Sequence, residues 1–441
     1  QWGVLRTDAD APTASAAAVP IDEDSPYLYA TGMDIWYGDG MGATPQSFYL
    51  NGTASDVGSG LDRAQGSMAF GDSPSDLTPA SWSLRYDVMN TDSGDGTITV
   101  RIYDLAGNYA EFTYDYYEDN MAPDLIPTTP PITESSSYLY SNGFDLYYSD
   151  QMGLTYQIFY LKGSCEDYES GMYSIVATEA FGDSQPVDYD PSSWSFQYDV
   201  ISTDNGDGTI TITVRDMVNN TRSQVYNYHE DLEAPTYTIS GWVESSYYLY
   251  GNPGDNSLWF SDLMGTTPAN ATVTGTANDA LAGVYRVTFS DEPTFHHCPG
   301  DDMTPDNWGG EYGVVEATTP DDSPITIRIY DNVGNYVEIN LNYYEDTQEP
   351  TVLVCEAHPD GDISKHGDFS NGNYIGFTWT PVSDPGGSGI WTYFTALSPT
   401  LGLDWSEIDH DAGTDGVDYL YGSRGKWNYY YVKAVDNVGN G

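Results

Sequence analysis

Positive charge is scarce in this chain. Of its 441 residues only 13 are lysine or arginine, against 67 aspartate or glutamate, so the formal net charge is −54. A field of this sign repels nucleic acid and anionic membranes and attracts cations. The acidity is typical of calcium-binding proteins and also of proteins adapted to salty surroundings, and the composition leaves both explanations open.

Long apolar runs, cysteines and catalytic signatures are also lacking. No stretch approaches the roughly 18 apolar residues of a membrane helix, so we expect no membrane insertion. The cysteines Cys165, Cys298 and Cys355 are too few for a disulfide framework; we expect buried thiols, with a Cys298–Cys355 bridge as the alternative. Without a nucleophile elbow, a phosphate-binding glycine loop or a zinc-protease motif, we do not expect an enzyme.

Aromatic residues and a repeated turn are abundant instead. Aromatic residues make up 14% of the chain, which indicates packed sheets rather than acidic disorder. A turn that begins with Asp and ends with Asn recurs about every 110 residues, a period that corresponds to a small domain. The four copies span 104–108, 216–220, 331–335 and 436–440. The Asp can bond turn amides, and the Gly or Asn near the end of the turn tolerates positive φ.

The residues before each turn alternate with period two. Ile98, Val100 and Ile102 share one face, which predicts a strand with one side on a core. Several short strands with Gly, Asn and Asp turns, and no helical periodicity, predict a β-sandwich in each repeat.

Acidic linkers that end in proline separate the repeats. They span 7–12, 118–123, 230–235 and 345–350. Proline cannot donate to a β-ladder and stiffens the chain, so these segments are predicted domain boundaries. The predicted organisation is an N-terminal donor strand at 1–7 and β-sandwich domains at 8–119, 120–231, 232–346 and 347–441, the last without its final strand.

The Asp-x-x-Gly-Asn turn and these linkers resemble the tandem Ig-like domains of prokaryotic surface proteins. The linkers also look like the calcium-binding linkers of cadherins. The resemblance implies an all-β, tandem array of four Ig-like β-sandwich domains in an exported, cell-surface protein. Members of such families act as stalks, adhesins, surface-layer units or filament subunits.

Calcium sites are predicted at the domain junctions. The loop before the penultimate strand, the linker and the turn of the next domain should meet there, and calcium takes six to eight oxygens. The candidate ligands are Asp92, Asp95, Glu118, Asp119 and Asp216 at the first junction; Asp204, Asp207, Glu230, Asp231 and Asp331 at the second; and Asp321, Asp322, Glu345, Asp346 and Asp436 at the third. The alternative is solvated turns, because acidic residues cap turns widely.

Two weaker patterns remain. His296, His297 and Cys298, with Asp301, could bind a transition metal, or they could belong to a polar loop. Three glycosylation sequons suit an exported chain; they begin at Asn51, Asn219 and Asn270.

Head-to-tail polymerisation is predicted from the two ends of the sequence. The fourth repeat stops at Gly441, directly after its turn, and residues 1–6 stand where the final strand of a preceding domain would stand. We therefore expect residues 1–6 to complete the fourth domain of a neighbouring copy, which makes a fibre and covers an open edge. The predicted interface comprises Gln1, Trp2, Gly3, Val4, Leu5, Arg6, Asp8 and Asp10 on one side, and Arg424, Lys426, Tyr430, Val432 and Ala434 on the other.

Two functions fit this organisation. The first is a structural subunit of an extracellular filament whose main partner is a second copy of itself. The second is a calcium-stiffened stalk, adhesin or surface-layer protein that binds glycan or protein through exposed aromatic residues.

Overall fold

Strands and short 3-10 turns make up the regular structure of this protein. The computed structural model describes residues 6–189, 192–291, 294–303, 307–316, 318–319, 324–351, 355–358, 374–423 and 426–441. In these segments there is no α-helix, and the strands form paired sheets around hydrophobic cores. The predicted all-β, Ig-like sandwich class is confirmed. The chain divides into two compact units, 1–230 and 231–441, and each contains two repeats.

The first repeat is a two-sheet sandwich. Its strands are β1 (Thr13–Glu23), β2 (Leu28–Thr31), β3 (Asp34–Tyr37), β4 (Gln46–Ser55), β5 (Leu61–Gly66), β6 (Ser75–Asp76), β7 (Ser81–Val88), β8 (Gly96–Asp104) and β9 (Tyr109–Glu118), with a 3-10 turn at Asp39–Met41. One sheet has the order β1-β4-β7 and the other β2-β3-β9-β8-β5-β6. β9 lies between β3, with which it pairs parallel, and β8, with which it pairs antiparallel, and it ends at Glu118, where the linker begins.

The second repeat has the same arrangement. Its strands are β10 (Asp124–Glu134), β11 (Leu139–Asn142), β12 (Asp145–Tyr148), β13 (Gln157–Glu166), β14 (Met172–Ala177), β15 (Ser193–Val200), β16 (Gly208–Asp216) and β17 (Thr221–Glu230), with a 3-10 turn at Asp150–Met152. The sheets have the orders β10-β13-β15 and β11-β12-β17-β16-β14.

The third repeat divides its larger sheet in two. Its strands are β18 (Thr236–Glu244), β19 (Leu249–Gly251), β20 (Leu258–Phe260), β21 (Ala269–Asn278), β22 (Val284–Phe289), β23 (Asn307–Val314), β24 (Ile325–Asp331), β25 (Tyr336–Leu341) and β26 (Tyr343–Glu345), with a 3-10 turn at Asp262–Met264. The sheets have the orders β18-β21-β23, β19-β20-β26 and β22-β24-β25.

The fourth repeat is described in part. Its strands are β27 (Cys355–His358), β28 (Tyr374–Trp379), β29 (Ile390–Ser398), β30 (His410–Asp411), β31 (Val417–Tyr421) and β32 (Tyr429–Asp436), with a 3-10 turn at Trp405–Glu407. The sheets have the orders β27-β28-β31 and β30-β29-β32. Among the described residues β32 therefore lies at a sheet edge, whereas β8 and β16 are flanked on both sides.

The cores confirm the predicted alternation. Ile98, Val100 and Ile102 on β8 are fully buried, and the intervening residues are half-buried or exposed. A tryptophan ring covers a cross-strand glycine in each of the first three repeats, where a Cβ would lie within about 2.4 Å of the ring. These pairs are Gly52–Trp82, Gly163–Trp194 and Gly275–Trp308. The close approach requires glycine at these three positions.

Several predicted residues lie outside the described part of the chain. They are Gln1, Trp2, Gly3, Val4, Leu5, Asp321, Asp322 and Arg424, together with the Cys355 side chain on which the predicted disulfide depends. The predicted seam partner Asp8 does not stand apart from the fold, because its carboxylate accepts from the amides of Asp10 and Ser59. Cys165 is buried, as predicted for a core thiol. The four domain boundaries stay predictions.

Candidate metal centres

Three aspartates meet at the N-terminal end of each repeat. One comes from the linker, one from the loop after the fourth strand of the repeat or its counterpart, and one opens the repeated turn. In each set one carboxylate oxygen of every member lies within 4.8 Å of the others. The sets are Asp8, Asp56 and Asp104; Asp119, Asp167 and Asp216; Asp231, Asp279 and Asp331; and Asp346, Asp384 and Asp436.

The turn aspartate is fixed by its own turn. Oδ1 of Asp216 accepts from the amides of Val218 at 3.0 Å and Asn220 at 2.8 Å. Asn219 between them has φ of +74°, a value that asparagine tolerates better than most residues. Gly107, Gly334 and Gly439 have φ near +91° at the same position, so the predicted role of this residue in the turn is confirmed. One carboxylate oxygen thus closes the turn, and the other remains for the cluster.

The loop aspartate is held in the same manner. Asp167 accepts from the amide of Gly171 at 2.5 Å, and Asp279 accepts from Gly283 at 2.9 Å. The residue before this glycine donates to the linker aspartate instead, for example Ser170 N to Asp119 Oδ2 at 3.1 Å. The loop therefore holds two carboxylates side by side through backbone amides.

The asparagine that ends each turn ties the linker to the cluster. Nδ2 of Asn220 donates to the carbonyl oxygen of Asp119 at 3.0 Å, and Nδ2 of Asn440 donates to that of Asp346 at 2.9 Å. The same bond joins Asn108 to Asp8 at 3.3 Å. In each case the linker backbone is attached to the repeat that follows it.

Electrostatic repulsion in the clusters is compensated only in part. Burial, together with the charge of the neighbouring linker aspartate, raises the pKa of Asp216, Asp331 and Asp436 to about 6 each. Oδ2 of Asp216 and Oδ2 of Asp436 are buried and have no hydrogen-bond partner among the described residues. The hydrogen bonds described above reach the cluster carboxylates from neutral amides, so a cation would supply the missing positive charge.

The donor set fits a hard cation. All three side chains in each cluster offer oxygen, which suits calcium and does not favour zinc or copper. Each side chain brings one oxygen to the cluster, so an ion with six to eight oxygen ligands would take the rest from backbone carbonyls or water.

The structure brings together part of each predicted set. The linker and turn aspartates meet as expected, in the pairs Asp119 with Asp216, Asp231 with Asp331, and Asp346 with Asp436. The loops expected to complete them have other contacts. Glu118 Oε2 accepts from the amide of Gly94 at 2.5 Å, and Asp95 Oδ1 accepts from the amide of Glu118 at 3.0 Å.

The corresponding loop and strand end of the second repeat make the same two hydrogen bonds. Gly206 donates to Glu230 Oε2 at 2.7 Å, and Glu230 donates to Asp207 Oδ1 at 3.0 Å. Asp92 and Asp204 accept from the amides of Met89 and Ile201 within their own loops. Glu345 stands outside its cluster too; burial and the charge of Asp262 raise its pKa.

Sequence reasoning missed the loop aspartates and the first cluster. Asp56, Asp167, Asp279 and Asp384 each precede, by four or five residues, a glycine with φ between +77° and +90°. This Asp-to-Gly spacing is visible in all four repeats and could have marked the third ligand. The first cluster was missed because the predicted sites lay at junctions between two repeats, and no repeat precedes Asp8 in this sequence.

The other predicted sites are not assembled in the described residues. His296, His297, Cys298 and Asp301 form no group of three metal ligands there. Asp301 instead lies 3.4 Å from the Arg286 guanidinium. The sequon asparagines Asn51, Asn219 and Asn270 are half-buried, and their modification stays a prediction.

No described helix is both long and apolar enough to cross a membrane.

No protein-family model matches this sequence, and no curated protein does either. Among solved structures, the chain is similar to a Ca²⁺-stabilised adhesin with which an Antarctic bacterium binds ice, at 14% identity and a TM-score of 0.29 over 98% of this chain and 99% of that one. It is also similar to a bacterial 1.5-MDa ice-binding adhesin studied for host cell surface retention, at 13% identity and a TM-score of 0.34 over 76% of this chain and 100% of that one. A tetra-tandem repeat from the extending region of a large adhesion protein aligns at 15% identity and a TM-score of 0.25, over 98% of this chain and 97% of that one. Likeness at this level gives no information about function.

Proposed function

We propose that this chain is a structural spacer of an extracellular surface protein, in which calcium fixes each linker to the β-sandwich that follows it. The observation that carries the proposal is the fourfold meeting of a linker aspartate with two aspartates of the next repeat, within 4.8 Å. A linker fixed at one end has fewer conformations, so the repeats are held in a more restricted arrangement. The role of the ion is to neutralise carboxylates that repel one another without it.

Each member of a cluster has a separate part in this design. The turn and loop aspartates would form the fixed part of the site, because hydrogen bonds from backbone amides hold their carboxylates in place without the ion. The linker aspartate would make ion binding immobilise the linker, since it is the one member of the cluster that lies outside the β-sandwich. Asp119, Asp231 and Asp346 are all less than 3% exposed, so an ion bound there would be shielded from water and salt.

Calcium titration of the full-length chain tests the proposal. A ligand that binds only the folded state at 100 times its Kd stabilises that state by about 2.7 kcal/mol. We expect calcium to raise the melting temperature and chelator to lower it, with greater spread of interdomain distances in solution scattering. Asp167→Asn should remove part of the calcium response, and Asp24→Asn, at an exposed aspartate outside the clusters, should not. Identical melting and scattering profiles with calcium and with chelator contradict the proposal.

The open edge of β32 favours a second candidate, a head-to-tail filament subunit. Among the described residues β32 pairs with β29 on one side only, and an unpaired edge accepts a strand. Tyr430 and Val432 on β32 are half-buried, and the rings of Tyr430 and Phe377 stack with their centroids 5.0 Å apart. In this candidate residues 1–6 of a neighbouring copy would supply the strand. Recognition of glycan or protein by exposed aromatic residues stays a prediction.

Strand donation has its own test. Purified protein that forms threads in electron micrographs should stop doing so when residues 1–6 are deleted. A synthetic peptide of residues 1–6 in excess should cap the threads, whereas a peptide of the same composition in scrambled order should not. If the truncated protein still forms the same threads, strand donation by residues 1–6 is wrong.

A further inference from the structure

The four clusters differ in how many hydrogen bonds their turn aspartates already accept. In the first repeat, Oδ1 of Asp104 accepts from turn amides, and Nδ2 of Asn108 donates to Oδ2 at 2.8 Å. In the third repeat, Nδ2 of Asn335 donates to Oδ2 of Asp331 at the same distance. In these two clusters both oxygens of the turn aspartate therefore have partners before any ion binds.

The second and fourth repeats leave the corresponding oxygen without a partner. Oδ2 of Asp216 and Oδ2 of Asp436 are buried and accept no hydrogen bond from the described residues, and both side chains are at most 1% exposed. Burial raises the pKa of Asp216, and the nearby Asn220 side chain offsets part of that rise, but its amide donates to Asp119 instead. Since Oδ1 closes the turn in both repeats, Oδ2 is the oxygen that remains for an ion.

The fourth cluster has a second oxygen of this kind. Oδ2 of Asp384 accepts from the amide of Gly389 at 2.8 Å, but Oδ1 is buried and has no partner among the described residues. Of the four loop aspartates, only Asp384 shows this in the part of the chain that the structure describes. The fourth cluster thus contains two buried, unpartnered carboxylate oxygens and the second cluster contains one.

An oxygen of this kind raises the free energy of the empty cluster. A buried acceptor without a partner has lost its bonds to water and has gained none in exchange. A bound cation supplies the missing partner, so binding relieves this cost in the second and fourth clusters. In the first and third clusters the asparagine amide already fills that role, and an ion relieves less. The first cluster is also more open, because Asp8 and Asp56 are only half-buried and water screens their charges.

We propose that the four clusters form two classes of calcium site, and that the second and fourth clusters bind the ion more tightly than the first and third. The inference rests on the proposed function and concerns the order in which its sites fill. We expect at least about a tenfold difference in Kd between the classes. Tenfold corresponds to about 1.4 kcal/mol, which lies within the cost of one unsatisfied buried group.

The calcium concentration would then determine which linkers are fixed. The second cluster includes Asp119 of the linker 118–123, inside the compact unit 1–230. The fourth includes Asp346 of the linker 345–350, inside the unit 231–441. Low calcium would fix these two linkers to the repeats that follow them, and the other two linkers would need more.

Counting bound ions along a calcium titration of the full-length chain tests the inference. Native mass spectrometry should show two ions at a concentration that fills only the tighter class, and four at a concentration about a hundred times higher. Asp436→Asn should give one and three ions, whereas Asp331→Asn, the same change in the third cluster, should give two and three. Asp24→Asn, at an exposed aspartate outside the clusters, should keep the wild-type numbers.

Hydrogen exchange along the same titration shows where the first ions bind. The amides of 216–220 and 436–440 should gain protection at lower calcium than those of 104–108 and 331–335.

The outcomes separate this inference from the proposed function. No bound calcium overturns both. Four ions that bind with one common Kd overturn the two classes and leave the four sites. Protection that begins at 104–108 or 331–335 reverses the order and also overturns the inference. If circular dichroism shows that Asp436→Asn does not fold, Asp216→Asn makes the equivalent test in the second cluster.

Discussion

The side-chain amide of Asn335 donates to the backbone carbonyl oxygen of Asp231 at 2.9 Å, and both residues are buried. The same amide donates to Oδ2 of Asp331 at 2.8 Å. One asparagine therefore connects the linker, the turn and the cluster of the third repeat. Because all three groups are shielded from water, losing the amide leaves two acceptors unsatisfied.

Asn335→Ala should lower the local stability of this turn by about 1–3 kcal/mol. Hydrogen exchange of the amides in 331–335, followed by mass spectrometry on the full chain, measures the effect locally. Asn340→Ala is the matched control, since Asn340 is exposed on the following strand, and should change protection by less than about 0.5 kcal/mol. Unchanged exchange in Asn335→Ala would show that the linker is held by other contacts.

Two substitutions of Asp331 distinguish its role in the turn from its role in binding a cation. Asp331 Oδ1 accepts from the amides of Val333 and Asn335, both at 2.9 Å. Asparagine keeps that oxygen and removes the charge, whereas alanine removes both. In chelator we expect Asp331→Asn to be more stable than Asp331→Ala, because asparagine loses only the bond from the Asn335 side-chain amide, whereas alanine also loses the bonds from two backbone amides and about 2 kcal/mol with them.

With calcium, both Asp331 variants should lose the ion-dependent rise in melting temperature of the third repeat. Calcium titrations followed by hydrogen exchange in that repeat provide the measurement. A full calcium response in Asp331→Asn would mean that the turn aspartate serves the turn alone.

The pH dependence of stability should reverse with calcium. Burial raises the pKa of Asp216, Asp331 and Asp436 to about 6 in the folded chain, against about 3.9 for an unfolded aspartate. Without calcium the folded state binds more protons than the unfolded state between these values, so its stability falls as pH rises from about 4 to 6. The loss is on the order of 1–3 kcal/mol per site.

Calcium requires the ionised carboxylates, so in its presence stability should fall as the pH is lowered through the same window. Melting temperatures at pH 5 and pH 7.5, each with calcium and with chelator, provide the four necessary values. A chelated protein that melts lower at pH 5 than at pH 7.5 would contradict the expected direction.

Much of this fold could be predicted because its signals are local and recur. The alternation at Ile98, Val100 and Ile102 and the positive φ at Gly107 depend on neighbours in the sequence. The pairing of linker and turn aspartates also followed, since β9 and its counterparts lead from the turn into the next linker.

The third ligand of each cluster could not be located in the same way. Asp167 reaches Asp119 and Asp216 through the pairing of β14 with β16, a contact between strands far apart in sequence. Glu118 begins the linker and Asp95 stands in the loop before β8, but their carboxylates accept from the backbone amides of Gly94 and Glu118 instead of joining the cluster.

Packing between the first two repeats does not depend on calcium alone. Val218, the middle residue of the turn, is fully buried, and a Cβ added to Gly38 would lie 2.8 Å from its carbonyl oxygen and 3.1 Å from a methyl group. The φ of Gly38 is −116°, which any residue adopts, so the requirement for glycine at this position is steric. The backbone of Gly38 and the buried residue Val218 therefore pack too closely for either to shift easily.

Gly38→Ala should therefore separate the turn of the second repeat from the first and cost about 1–3 kcal/mol by overpacking. We expect wider interdomain spread in solution scattering both with calcium and with chelator, because the clash lies outside the cluster. Gly300→Ala is the control, since Gly300 has no atom within 4 Å of an added Cβ and no positive φ. If calcium restores the wild-type scattering profile of Gly38→Ala, the ions alone fix the boundary and the contact between Val218 and Gly38 is dispensable.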